Sequence, residues 1–196
     1  MKEEYSMVEK DVNLKVICCT TTSDCCRPVQ GDRSQRRKIE IDFLYLDLSV
    51  CTRCQGADNS LDEAIAEASK VLEATDVDVV VNKINVTSEK QAEALQFESS
   101  PTIRVNRRDI QLEIRESLCE SCGDLCGDEV DCRVWVYHGK EYTSPPKAMI
   151  IEAILREVYG SPNEGQEVNK KDYRLPDNLR KFFMSMHGKQ GAEQSG

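Results

Sequence analysis

The chain has 196 residues, 39% hydrophobic and 31% charged, with a formal net charge of −9. That length suits one domain with additional segments, and the acidic balance argues against a nucleic-acid partner, because phosphate binding needs a basic surface. No run approaches the roughly 18–20 apolar residues that span a bilayer, and residues 1–10 are charged with no apolar h-region; a cytoplasmic protein without a membrane partner is expected. Residues 1–38 read as an N-terminal arm. Leu14, Val16 and Cys18 alternate as in one short strand, and a Thr-, Ser-, Pro- and Gly-containing loop follows. The basic run at 33–38 reads as a solvated linker.

Order is expected from Ile39. Residues 39–50 form a dense β-prone run of the kind that is buried on both faces. Leu61, Ala64, Ile65, Ala68 and Leu72 then recur at helical spacing, and Ser60 with Glu63 has the form of a capping box, so the helix is predicted to begin at Leu61. Residues 77–86 are the next strand and 88–97 a short helix. Pro101 opens a strand through Val105, a position where no ladder N–H is needed. Residues 106–109 turn, and Ile110, Leu112 and Ile114 alternate as a return strand. A strand or hairpin is predicted over 133–142, and a helix over 147–159 after Pro145-Pro146. A parallel pair linked by a helix, then an antiparallel hairpin and a closing helix, describes an α/β sheet. The domain is expected over 39–160, with a cysteine-rich insert at 116–132. A polar tail follows at 161–196, in which Leu179, Phe182, Phe183 and Met186 recur at helical spacing and dock on the domain or on a partner.

Ten cysteines fall in three tight clusters. A structural disulfide framework spreads its cysteines across distant loops, whereas local clusters suit redox exchange or metal ligation. Cys51 and Cys54, in Cys51-Thr52-Arg53-Cys54 at the end of the first strand, form the central pair. Two intervening residues let both sulfurs meet, and the Arg53 charge favours a thiolate, the species that attacks a disulfide. A structural disulfide or half of a metal site is the other reading of this pair. Asp47 is either a proton acceptor near the dithiol or a surface carboxylate.

The dithiol at the strand end, the βαβ order after it and Ser100-Pro101 at the head of a later strand together resemble the thioredoxin superfamily over roughly residues 39–159. The resemblance implies a thioredoxin-like mixed sheet of four to five strands flanked by helices. It implies Cys51 as nucleophile and Cys54 as resolving thiol, with a cis-proline at Pro101 against the dithiol, helping to present the backbone of a protein thiol or disulfide partner or reductase. No cofactor is required for such chemistry. Two departures stand out: Ser49-Val50 replace the Trp that usually precedes the motif, and a helix starting at Leu61 leaves Cys51 without the partial positive charge of a helix N-terminus. Both favour a specialised thiol protein over a general reductant.

Cys119, Cys122, Cys126 and Cys132 lie within 14 positions. They suit a tetrahedral zinc site, a second dithiol or local disulfides, or buried thiols. The strand opened by Pro101 runs away from the dithiol and its return strand comes back, so the insert is expected over the active edge, within reach of Cys51. The vicinal pairs Cys18–Cys19 and Cys25–Cys26 suit soft, thiophilic ions or thiol exchange, or are inert. His138 and His187 are not expected as ligands. Two functions therefore stand side by side: a thiol–disulfide oxidoreductase of specialised range, and a protein that binds or delivers a soft metal or metalloid, zinc among them, through clustered cysteines.

Overall fold

Strand β1 (Arg37–Tyr45) buries Ile39, Ile41, Phe43 and Leu44 at the centre of a four-stranded mixed sheet. In this computed structural model, residues 36–160 and 173–193 are described, all within the unit Gln35–Gly196. The strand predicted near residue 14 and the pairs Cys18–Cys19 and Cys25–Cys26 lie outside the described residues. β1 ends five residues earlier than its apolar run. The Asp47 carboxylate accepts from the Val50 N–H at 2.6 Å and the Cys51 N–H at 3.4 Å, and these bonds turn the chain out of the strand.

Helix α1 (Thr52–Ala74) starts nine residues before the predicted Leu61, directly after the turn. The reason lies in its inward face. Cys54, Ala57, Leu61, Ala64, Ala68 and Leu72 are all buried and spaced three or four apart, so the apolar stripe runs unbroken through the residues before Leu61. Gln55 ties the first turn down by donating to the carbonyls of Leu48 and Ser49. Ser60 and Glu63 sit inside the helix rather than capping it.

β2 (Val77–Asn85) returns parallel to β1, from Arg37 opposite Val77 to Tyr45 opposite Asn85. α2 (Glu89–Leu95) is capped by the Ser88 hydroxyl. β3 (Thr102–Val105) runs antiparallel to β1 and pairs with β4 (Arg108–Asp109). Asn106 and Arg107 between them both have positive φ, as a two-residue hairpin of this hand requires. The return strand is therefore Arg108–Asp109 and not 110–114. Past Ile110 the Gln111 side chain takes over: its amide nitrogen donates to Glu113 and Val134 carbonyls, and its oxygen accepts the Val136 N–H. The chain is thereby passed to a second sheet.

That sheet is antiparallel, in the order β5 (Arg115–Leu118), β6 (Asp131–Tyr137), β7 (Lys140–Tyr142). α3 (Glu120–Cys126) fills the insert between β5 and β6, and ends on Gly127 at φ 79°. The Arg133 N–H donates to the Ser100 carbonyl at 2.7 Å, so β6 starts beside the segment leading into β3. The fully buried Arg133 side chain reinforces this seam: it bonds Asp109 and Thr102 at 2.8 Å and the Gln111 carbonyl at 2.7 Å, and lies over the Trp135 ring.

α4 (Lys147–Tyr159), entered through Pro146 as predicted, packs with α1 over the first core. A second core gathers Leu44, Leu46, Val86 and Phe97 with all six cysteines of the described residues, and α5 (Asp177–Glu193) completes it with Leu179, Phe182 and Phe183. The C-terminal apolar cluster thus docks on this body. Asn178 bonds both backbone groups of Asp131 and Tyr173 bonds the Phe97 carbonyl, which hold α5 against the start of β6 and the end of α2.

Candidate metal centre

Three chain segments deliver the cysteines of the second core. The turn after β1 supplies Cys51, the residue that caps α1: its sulfur accepts the Cys54 N–H at 3.4 Å. Cys119 stands at the N-cap position of α3, without a side-chain cap bond, and Cys122 lies in its first turn, while Cys132 is the second residue of β6. The sulfurs of Cys51, Cys119, Cys122 and Cys132 all lie within 4.8 Å of one another. Cys51 is 4.0 Å from Cys119, and Cys122 is 3.3 Å from Cys132. Cys51, Cys122 and Cys132 are fully buried and Cys119 is 2% exposed.

The donor set fits a tetrahedral metal. A zinc–thiolate bond of about 2.3 Å places ligand sulfurs about 3.8 Å apart in a regular tetrahedron. The distances seen here bracket that value, so small side-chain rotations close the shell. Cys126 stands apart from the set expected from spacing. Its sulfur is directed to the carbonyls of Asp128 at 3.5 Å and Gly123 at 3.9 Å, and Cys51, from another segment, occupies the fourth corner.

Crowding of thiols drives their protonation apart. Hydrogen bonds from Cys119, then Cys122 and Cys132, hold the Cys51 thiol far below its ordinary range. Hydrogen bonds from Cys122 and Cys132 lower Cys119 to about 6. The partners move the other way: Cys122 is pushed up chiefly by Cys119, Cys132 by Cys119 and Cys122, and Cys54 by Cys51 and by burial. The four thiols therefore titrate as one coupled set.

The Arg53 guanidinium donates to backbone carbonyls of the second sheet, those of Ser117, Leu118 and Cys132, at 3.2, 2.6 and 3.0 Å. It clamps β5 and β6 to the first turn of α1, which holds Cys51 against the insert. The Thr52 N–H donates to the Ser121 hydroxyl and adds a second clasp. Asp47 is committed to the backbone of Val50 and Cys51 and to the Ser49 hydroxyl.

Behind the four, the Cys54 sulfur lies 3.4 Å from the Ser100 hydroxyl, which also accepts the Leu46 N–H. The Ser100–Pro101 peptide is cis, and Pro101 is buried at the head of β3. The model of the DUF2703 family, described as a domain of unknown function, matches residues 39–154. The chain belongs to that family. The DUF2703 match spans β1 through most of α4 and so contains all six cysteines of the second core. Searches of curated proteins and of solved structures gave no match.

Ser100 and Ser121 are contacts that spacing did not single out. The insert at 116–132 was expected within reach of Cys51, and three of its cysteines are, although the chain arrives through β5 of the second sheet and not through the predicted return strand. His138 is a turn residue between β6 and β7, at φ 49° and packed on Tyr137, and His187 is exposed on α5.

Proposed function

We propose that this chain binds a thiophilic metal ion, zinc in the first instance, through the thiolates of Cys51, Cys119, Cys122 and Cys132. One observation carries the reading: four buried sulfurs from three chain segments converge within 4.8 Å. Ligands gathered from separate elements make a closed shell of the structural kind, and closed shells bind tightly and staple what they join. The vicinal pairs Cys18–Cys19 and Cys25–Cys26 add soft-ion ligands to the same chain, and a reducing, cytoplasmic setting keeps all these thiols available. The test is the metal content of the full chain purified anaerobically. One zinc equivalent with four sulfur neighbours by X-ray absorption is expected, and its loss in Cys51→Ser and in Cys132→Ser. A wild-type protein without metal, or a Cys51→Ser variant that keeps the equivalent, overturns the reading.

A second reading rests on a different contact. The Cys54 N–H on the Cys51 sulfur, at the N-terminus of a 23-residue helix, is an arrangement that stabilises a thiolate. It supports a thioredoxin-superfamily relation and a thiol–disulfide oxidoreductase in which Cys51 attacks, Cys54 resolves and Pro101 helps present a protein partner. Reduction of an insulin-type disulfide, abolished by Cys51→Ser, is its expected result. Stoichiometric metal without turnover favours the metal reading instead.

A further inference from the structure

Cys51 belongs to two constellations at once. It is one corner of the four-thiol set and the first member of the dithiol with Cys54. Any chemistry that commits its sulfur to Cys54 removes it from the other three. Yet Cys51 and Cys54 are both fully buried, so an external reagent needs another point of contact.

The surface supplies one. An open groove runs over the junction of α1 and α3, bordered by Thr52, Arg53, Leu118, Ser121 and Asp124; Cys119 is the one member of the four in its lining and, though buried at 2% exposure, the one of the four that is not at zero. The Cys119 sulfur is 4.0 Å from that of Cys51, the Cys54 N–H donates to the Cys51 sulfur, and the Cys54 sulfur lies 3.4 Å from the Ser100 hydroxyl. Cys51 is thus in contact both with the groove-lining Cys119 and with the fully buried Cys54.

We propose that Cys119 is the receiving thiol through which a small-molecule disulfide reaches this buried cluster, and that the oxidising equivalents then pass through Cys51 to Cys54. Three exchanges compose the path, each forming one S–S bond and breaking one. The Cys119 thiolate attacks the disulfide RSSR, giving a Cys119–SR mixed disulfide and releasing RS⁻. Cys51 attacks the Cys119 sulfur, forming Cys51–Cys119 and releasing the second RS⁻. Cys54 attacks the Cys51 sulfur, forming Cys51–Cys54 and returning Cys119 as a thiolate. Two protein thiols are oxidised, one external disulfide is reduced to two thiols, and the two protons go to RS⁻. A metal held by the four thiolates loses Cys51 and is left with three ligands. This last consequence rests on the metal reading above; the thiol path does not.

The test uses full-length, reduced, metal-free protein, oxidised glutathione as the disulfide, acid quenching and peptide mapping by mass spectrometry. In the wild type the Cys51–Cys54 disulfide is the expected product. Cys54→Ser should stop at Cys51–Cys119, and Cys51→Ser should accumulate the glutathione adduct on Cys119. Cys119→Ser should slow formation of Cys51–Cys54 at least tenfold. An unchanged rate in Cys119→Ser, a first adduct on Cys51 or Cys54, or a Cys122–Cys132 disulfide as main product overturns the path. Circular dichroism of each variant confirms that the fold is kept, and the two trapping variants test the order without relying on Cys119→Ser. In a parallel arm on zinc-loaded protein, zinc release should rise with Cys51–Cys54. A chain that binds no zinc but traps in this order leaves the path standing and removes the metal reading.

Discussion

Cys126 and Cys132 are both buried cysteines of one insert, yet their surroundings give them different work. The Cys132 sulfur faces three others, whereas that of Cys126 faces two carbonyls that close the end of α3. Cys132→Ser should weaken zinc binding more than the roughly 10–100-fold typical of outer partners, while Cys126→Ser leaves affinity within about threefold; competition with a chromogenic chelator measures both. The coupled set also fixes a pH dependence. Cys122 and Cys132 are held as thiols well above the ordinary range, and a metal needs them as thiolates. On the metal reading, binding therefore releases protons, so affinity rises with pH and falls on acidification. Zinc binding at pH 6 should be at least about tenfold weaker than at pH 8 in the same competition assay, with proton release visible in weakly buffered calorimetry.

Among the elements, the early start of α1 matters most to the site, because it makes Cys51 a helix cap. Gly56, in the second turn of α1, is packed so closely that an added Cβ would overlap the Ser144 hydroxyl and lie 3.0 Å from the Ser144 Cβ. Alanine gains about 1 kcal/mol over glycine in a helix, but overpacking costs about 1–3 kcal/mol. Gly56→Ala should thus destabilise the wild type by about 1 kcal/mol and stabilise a Ser144→Gly background by a similar amount; urea unfolding of the double-mutant cycle reads the change of sign. At the other face, Phe183 is 1% exposed and closes the second core. Phe183→Ala should cost about 3–5 kcal/mol and speed zinc loss to a chelator. The strands and helices that follow strong periodicity, β2, α2, β3 and α4, were legible from residue pattern alone. The start of α1 was not, since Cys54 and Ala57 carry little apolar weight and Gly56 and Asn59 read as loop. The return strand was not either, since the alternation at Ile110, Leu112 and Ile114 says nothing of a Gln111 side chain that diverts the chain to another sheet.

For the molecule as a whole, a metal that binds only the folded chain raises its stability by mass action, about 2.7 kcal/mol at a free concentration of 100 times Kd. The unfolding midpoint in urea should therefore rise with added zinc in the wild type and stay fixed in Cys51→Ser. The insert was expected over the dithiol edge, and its cysteines do meet Cys51 there, but by way of β5 in the second sheet and not of the predicted return strand; the choice of Cys51 over Cys126 was not legible, because spacing cannot say which way a sulfur points. That choice has a consequence for how the chain assembles. Cys119, Cys122 and Cys132 sit within one short stretch, so a segment that has formed only β5, α3 and β6 already offers three ligands. Cys51 is 68 residues from Cys119, and closing a loop of that length by a cross-link corresponds to an entropy of about 4 kcal/mol. Under the metal reading, coordination number becomes a record of folding progress: three sulfurs while the insert stands alone, four once β1 and α1 have docked against it.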